Sequence, residues 1–181
     1  RFPDAEIGLN VLRNDGCSAL AIAAATDASF IRVNVLSGAR LTDQGIIQGI
    51  AHDLLRLRKE LSAESVAILA DVDVKHSASL AERPFAHEIE DVIQRGHADA
   101  IIVSGNATGT SVDNSQLAEA VEVAGSTPVF IGSGATAESI RKSASQASGF
   151  IVGTSVKHDG IVHKPVDKER VKEIVLATKQ R

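Results

Sequence analysis

Two hydrophobic periodicities alternate along this chain, and together they predict its elements. Short apolar, β-branched runs bounded by turn residues are typical of strands, whereas apolar residues repeated every three or four positions are typical of one helix face. The predicted strands are Ile7–Leu12, Phe30–Leu36, Val66–Lys75, Ala100–Gly105, Pro128–Gly134 and Gly149–Lys157. The predicted helices are Asp15–Thr26, Asp43–Leu61, Pro84–Arg95, Ser115–Val123, Thr136–Gln146 and Asp167–Lys179. Strands that alternate with helices indicate a parallel sheet.

Polar residues inside two predicted strands favour one of the two parallel architectures, a closed barrel rather than an open doubly wound sheet. Asp71, Asp73 and Lys75 share one face of the third strand, and Arg32 and Asn34 share one face of the second. An open sheet carries helices on both faces and would bury these charges beneath one of them. A barrel carries helices only outside, and its upper interior opens onto the active site. We therefore predict an α/β chain of the TIM (β/α)₈ barrel type.

The length of the chain limits how much of such a barrel it can supply. A whole barrel takes about 250 residues, whereas this chain has 181 residues. The pattern predicts only six βα units, and the first strand begins shortly after Arg1. We expect one domain over residues 1–181, an incomplete barrel in which six C-terminal βα units are present and the first two are absent.

A short turn that contains glycine follows the apolar core of each of the last two predicted strands. Glycine lets the backbone approach a ligand closely, and the N–H groups of such turns can cradle an anion. Barrels of this type often bind phosphate at the loops after their last two strands. The residues predicted to bind phosphate are Gly132, Ser133, Gly134, Gly153, Thr154 and Ser155.

Polar side chains follow the other predicted strands as well. The candidate catalytic residues are Asp71, Lys75, Asn34 and Asp73, because carboxylates beside an amine can share or transfer a proton. The candidate substrate-binding residues are Asn10, Asp15, Asp43, His76 and Ser104. Structural alternatives stand beside these roles: an internal Asp71–Lys75 ion pair, and capping of the next helix by Asp15. Arg13 and Arg32 are expected to support carboxylates.

Several of these segments resemble the BtpA/SgcQ family over essentially the whole chain and in order. The segments are Gly8–Asp15, Phe30–Leu36, Thr42–Gly45, Ala70–His76, Val103–Gly105 and Ile151–Ser155, and Leu12-Arg13-Asn14-Asp15 is an unusual motif among them. The resemblance implies a ribulose-phosphate-binding type of barrel whose two N-terminal strands are absent here. It also implies relatives of two kinds, a factor for photosystem I accumulation and proteins encoded beside sugar-uptake genes. Asp73 stands where the family commonly has histidine, so the resemblance implies a different activity for this copy if that histidine contributes to the chemistry.

Composition limits the classes of partner that the chain is expected to bind and the compartment in which it is expected to occur. The formal net charge of −4 argues against a nucleic-acid surface. The single cysteine, Cys17, excludes an internal disulfide and fits a reducing compartment, and we expect it to be a small buried residue. No apolar stretch is long enough to cross a membrane, so a cytoplasmic location is predicted. No metal-ligand spacing is present and no cofactor is predicted, while a weakly held divalent ion at Asp71 and Asp73 and a homo-oligomer stay open.

Two functions follow from these observations. The first is an enzyme that binds a phosphorylated sugar or nucleoside-like small molecule and hydrolyses or isomerises it. The second is a non-catalytic assembly or stability factor that acts through protein partners, as in photosystem I biogenesis. The polar strand ends favour the first function, whereas Asp73 and the incomplete barrel favour the second.

Overall fold

A computed structural model describes residues 2–72, 77–105 and 113–179. The chain divides into two compact units, residues 1–101 and residues 102–181. The strands are β1 (Gly8–Leu9), β2 (Phe30–Val33), β3 (Ala39–Thr42), β4 (Gly45–Gln48), β5 (Ala67–Val72), β6 (Ser77–Ser79), β7 (Ala100–Val103), β8 (Val129–Ile131) and β9 (Gly149–Phe150). The helices are α1 (Gly16–Thr26), α2 (Ala51–Glu60), α3 (Phe85–Glu90), α4 (Asn114–Ala124), α5 (Ala137–Ser143) and α6 (Lys168–Thr178), and a π-helical turn, Asp91–Arg95, extends α3. Parallel strands therefore alternate with helices, as the sequence predicts.

The parallel sheet of the first unit is covered by helices on its apolar face. Its strands include β1, β2 and β5 in that order, and both β1–β2 and β2–β5 are parallel pairs. Ile31 and Val33 of β2 are buried, and Val33 faces α1 and α2. A Cβ atom on Gly16 of α1 would lie 2.7 Å from Ile50 Cδ1 and 3.2 Å from Val33 Cγ2, so a larger residue there would displace the Ile50 side chain.

The predicted helix Asp43–Leu61 is wrong over its first half. β3 and β4 form an antiparallel hairpin there, and α2 begins at Ala51. Within the turn, Thr42 Oγ1 accepts a hydrogen bond from the Gln44 N–H at 3.1 Å and donates to the Gly45 carbonyl at 3.0 Å. Gly45 has a φ of +92°, which side chains disfavour. β6 pairs with the other edge of β3 and completes a three-stranded antiparallel sheet in the order β4-β3-β6. Along the chain, β3 and β4 follow the end of β2, and β6 follows the end of β5.

The second unit holds the last two parallel strands. β8 pairs with β9 through Phe130↔Gly149 and Ile131↔Phe150. Its apolar cluster is built from Ala135, Ile140, Ile174 and Ala177, with Phe150 packed against it. The predicted strand Gly149–Lys157 ends at Phe150, and a 3₁₀ turn, Thr154–Val156, follows. The second glycine turn therefore lies in a loop rather than in a strand.

The helices in the described part of the chain are short. The longest, α1, α4 and α6, have 11 residues each. Within residues 2–72, 77–105 and 113–179 no helix is long and apolar enough to cross a bilayer.

Candidate functional site

A buried polar cluster lies at the carboxyl ends of β2 and β5 in the first unit. Asp71 accepts hydrogen bonds from Arg32 Nε at 3.1 Å and from Arg32 Nη2 at 2.8 Å, and from Asn34 Nδ2 at 2.5 Å. The Asp71 side chain is only 4% exposed, and that of Arg32 is 24% exposed. A buried carboxylate is tolerated when a cation and further donors satisfy it. Arg32 and Asn34 are therefore among the partners of Asp71, and the expectation that Arg32 supports a carboxylate is confirmed.

The parallel register explains why these three side chains meet. Arg32 lies opposite Leu69 and Val33 opposite Ala70, so the next step of the same register places Asn34 beside Asp71. Alternate residues of a strand point to the same face, so Arg32, Asn34 and Asp71 project together, away from the face that Val33 presents to α1 and α2. The same alternation that predicts two faces from the sequence thus produces the cluster.

Asn34 keeps one polar atom without a partner. Its Nδ2 donates to Asp71, whereas its Oδ1 is buried and has no hydrogen-bond partner in the described part of the chain. The carboxylate fixes the orientation of the amide, since the opposite flip would set two oxygens against each other. A buried acceptor without a donor is costly in a folded protein and is often the place where a ligand or water binds.

A cavity of about 180 Å³ opens beside this cluster within the first unit. Asn34 and Asp71 line it from the parallel sheet, and Arg40 and Ser79 line it from the antiparallel sheet. Arg40 is buried, forms an ion pair with Glu88 of α3, and donates to Ser79 Oγ at 2.9 Å. This ion pair fixes the antiparallel sheet to α3. Sequence reasoning missed Arg40 because it placed no sheet there, and alternation would have predicted Leu41 rather than Arg40 to be buried, whereas Leu41 is 49% exposed.

Three of the predicted substrate-binding residues have structural partners. Asn10 Nδ2 donates to the Arg32 carbonyl at 3.0 Å. Asp15 accepts a hydrogen bond from the Ser18 N–H at 3.0 Å, so it caps α1, and this bond lowers the pKa of the Asp15 carboxyl. Asp43, in the β3–β4 turn, pairs with Arg13 at 2.7 Å. The structure therefore gives all three a role in holding loops and the helix in place.

Three further candidates lie outside the described residues. They are Asp73, Lys75 and His76. The predicted roles of Asp73 and Lys75 in catalysis, and of His76 in substrate binding, stay predictions.

The two glycine turns of the second unit lie side by side. Ser155 Oγ, in the second turn, donates to the Ala135 carbonyl, directly after the first turn, at 2.5 Å. The Gly105 N–H donates to Ser133 Oγ at 3.1 Å, and Gly134 has a φ of +65°. Within the described residues, the backbone N–H groups of Gly134 and Gly153 donate to no protein acceptor. These two N–H groups are thus available for a ligand.

Two further polar features of the second unit lie close to the first turn. Ser104 is 3% exposed, and its Oγ has no hydrogen-bond partner among the described residues. A Cβ atom on Gly132 would lie 2.6 Å from Ser104 Oγ, so a glycine is required at that position. A cavity of about 510 Å³ is lined by residues that include Ser133, Gly134 and Lys142. The first turn therefore borders open space as well as a buried hydroxyl.

The described residues include neither an activated cysteine nor a cluster of metal-binding side chains. Cys17 is half-buried, and burial, followed by the charges of Asp53 and Asp15, raises the pKa of its thiol. A thiol with a raised pKa is a poor nucleophile at neutral pH. No group of three or more His, Cys, Asp or Glu residues that could hold a metal ion occurs in residues 2–72, 77–105 and 113–179.

Comparison with known sequences finds a matching family model and relatives that are similar over most of this chain. The model of the BtpA family matches residues 4–180. The photosystem I biogenesis protein BtpA of Synechocystis is 50% identical over 96% of this chain and 60% of its own length. An uncharacterized protein of Thermococcus kodakarensis is 48% identical over 96% of this chain and 65% of its own length. The chain thus spans about two thirds or less of the length of these relatives.

Comparison with solved structures shows the fold. N-(5'-phosphoribosyl)anthranilate isomerase from Pyrococcus furiosus superposes with a TM-score of 0.63 at 17% identity, over 98% of this chain and 76% of the isomerase. KGPDC from Streptococcus mutans superposes with a TM-score of 0.64 at 10% identity, over 99% of this chain and 74% of that protein. These proteins are TIM-barrel-like enzymes, so the α/β fold of the chain is of that type.

Proposed function

The chain belongs to the BtpA family, and from that premise we propose that it binds a phosphorylated sugar or nucleoside-like small molecule. The phosphate group binds at the paired glycine turns of the second unit. In the first unit, taken by itself, Asp71 is assigned the role of acid–base group for hydrolysis or isomerisation of a sugar.

The observation that carries the phosphate assignment is the hydrogen bond between the two turns. The Ser155–Ala135 bond brings Gly132–Gly134 beside Gly153–Ser155, and among the described residues the N–H groups of Gly134 and Gly153 have no protein acceptor. Unpaired N–H groups in glycine turns are the usual means by which barrels hold phosphate without a net positive charge. This agrees with a chain whose formal net charge is −4.

The structural neighbours support the ligand class. The Pyrococcus furiosus neighbour is named for a phosphoribosyl compound. A putative deoxyribose-phosphate aldolase from Coccidioides immitis superposes with a TM-score of 0.56 at 11% identity. Because these similarities extend to the fold alone, they support a phosphorylated sugar as a class and leave the individual compound to experiment.

The chemistry assigned to Asp71 follows from its donors. Arg32 and Asn34 donate to both carboxylate oxygens, which is the arrangement that an ionised carboxylate accepts. Such a carboxylate stabilises positive charge that develops at a sugar carbon, or accepts a proton from a sugar hydroxyl or carbon. Asn34 holds the carboxylate in place through its Nδ2.

Replacement of Gly134 by valine tests the phosphate site. The φ of +65° disfavours a side chain there, so Gly134→Val displaces the first turn. We expect the Kd for D-ribose 5-phosphate, measured by calorimetry, to rise at least tenfold, which corresponds to about 1.4 kcal/mol.

Gly125→Val is the matched control for this experiment. Gly125 ends α4 with a φ of +58°, and a Cβ atom there meets nothing within 4 Å. The control therefore also places a side chain at a positive φ, but outside the turns. Equal affinity of Gly134→Val and Gly125→Val for D-ribose 5-phosphate would refute the phosphate site.

A second candidate function is an assembly factor, and the name of the Synechocystis relative favours it. In the first unit, Leu41 and Ile46 pair across the β3–β4 hairpin and are 49% and 59% exposed, respectively. These side chains offer an apolar surface to a protein partner. Absence of any binding of phosphorylated sugars by the wild-type chain would favour this second function.

A further inference from the structure

We propose that the cavity of the first unit is a sugar-hydroxyl pocket in which Asn34 Oδ1 accepts a hydrogen bond from a neutral, hydroxyl-bearing ligand. This deepens the proposed function by naming groups of the first unit that recognise sugar hydroxyls. It rests on that function only for the choice of a sugar as the ligand. The pocket is the 180 Å³ cavity lined by Asn34, Asp71, Arg40 and Ser79.

Asn34 presents a hydrogen-bond acceptor without a described partner to the cavity. Asn34 is 8% exposed and lines the cavity, and its Oδ1 has no partner in the described part of the chain. Because Nδ2 is held by Asp71 at 2.5 Å, the amide cannot rotate to exchange the two atoms without losing that bond. The side chain therefore presents an acceptor, and a ligand must supply a donor such as a hydroxyl group.

The paired charges that line the cavity favour a neutral ligand. Each described charged side chain that lines the cavity has an opposite charge beside it. Asp71 pairs with Arg32, Glu88 with Arg40, and Asp91 with Arg83 at 2.6 Å. With these charges compensated, the described lining has no surplus charge to attract an ion, so a neutral ligand fits better than an anion or a metal ion.

The volume of the cavity and the mixture of polar and apolar residues that line it suit a small sugar. The cavity has about six times the volume that a water molecule occupies in the liquid, roughly 30 Å³. That space accommodates a few carbons with their hydroxyl groups. Val35, Val72, Val92 and Leu80 also line it, so apolar walls lie beside polar groups, which suits a sugar with its C–H surface and hydroxyls.

The test uses unphosphorylated D-ribose, which does not depend on the phosphate turns. Saturation-transfer NMR is expected to detect D-ribose bound to the wild-type chain, with a signal at least fivefold weaker for Asn34→Ala. Gln48→Ala is the matched control, because it removes an exposed amide side chain from β4, outside the cavity lining. The control is expected to keep the wild-type signal.

A second measurement does not depend on the folding of a variant. In the ¹⁵N-labelled wild-type chain, D-ribose is expected to shift the side-chain amide resonances of Asn34, while inorganic phosphate leaves them in place. Absence of a D-ribose signal at tens of millimolar, or an equal signal from a folded Asn34→Ala, would overturn the pocket. Neither result concerns the affinity of the glycine turns for D-ribose 5-phosphate, so the two proposals fail separately.

Discussion

At the scale of single residues, the ion pairs near the strand ends differ in how far their carboxylates are buried. Asp71 and Arg32 form a pair with side chains that are 4% and 24% exposed, whereas Asp43, the partner of Arg13, is 71% exposed. Removing one partner of a buried pair leaves an uncompensated charge, while an exposed pair is replaced by water. The sequence marks both aspartates as candidate site residues, and only burial separates their energetic roles.

Substitution of Asp71 by asparagine therefore tests the energetic importance of the buried pair. We expect Asp71→Asn to lower the free energy of unfolding by about 3 kcal/mol, because Arg32 loses its described counter-charge. The same change at Asp43 is expected to cost less than about 1 kcal/mol. Urea denaturation of the two variants measures both values, and equal losses would contradict this interpretation.

At the scale of elements, helix caps were predictable and the hairpin was not. Asp15 and Asp167 both accept hydrogen bonds from the first turns of α1 and α6, as their positions before helical patterns indicate. In contrast, Ile47 and Leu54 share one apolar stripe in the sequence, yet Ile47 lies in β4 and Leu54 in α2. The spacing of the apolar residues is also compatible with a helix, but the chain forms a hairpin through the Gly45 turn and the pairing of β4 with β3. The local spacing does not indicate this hairpin, because strand pairing depends on contacts with a second segment.

The cap of α1 makes a prediction about pH. The hydrogen bonds from Ser18 lower the pKa of Asp15 in the folded chain below its ordinary value of 3.8. The ionised cap therefore adds stability above that value, and this contribution is lost as the pH falls through the folded pKa. Asparagine caps a helix without the charge.

Melting temperatures of the wild type and Asp15→Asn, measured from pH 2 to pH 7, reveal this contribution. The wild type is expected to gain stability relative to Asp15→Asn as the pH rises through the acidic range, with a constant difference above about pH 5. A difference independent of pH would show that the charge of Asp15 contributes nothing to the cap.

At the scale of the whole molecule, the net charge argues against a nucleic-acid partner, and the fold is of the TIM-barrel-like α/β type. The net charge of −4 leaves no excess of cations for a phosphate backbone, and the structural neighbours with TM-scores above 0.6 are TIM-barrel-like enzymes. The chain spans 60% and 65% of the Synechocystis and Thermococcus relatives. The two upstream βα units expected from the count of strands stay a prediction.

Nucleic-acid binding is accordingly expected to be absent. At 150 mM salt, a fluorescent 20-base-pair DNA duplex should show no change in anisotropy with up to about 10 µM of the chain, since non-specific binding depends on cationic contacts to phosphate. A salt-dependent rise in anisotropy below that concentration would contradict the inference drawn from charge.

The sequence by itself determined the alternation of parallel strands and helices, the polar face of β2 and β5, and the position of both glycine turns, because these depend on local periodicity and on the conformational freedom of glycine. Only the tertiary structure decided that Asp71 pairs with Arg32, that Arg40 forms part of a buried ion pair, and that Ser155 joins the two turns. Each of these contacts joins residues at least 20 positions apart, and no local pattern specifies which distant side chains meet.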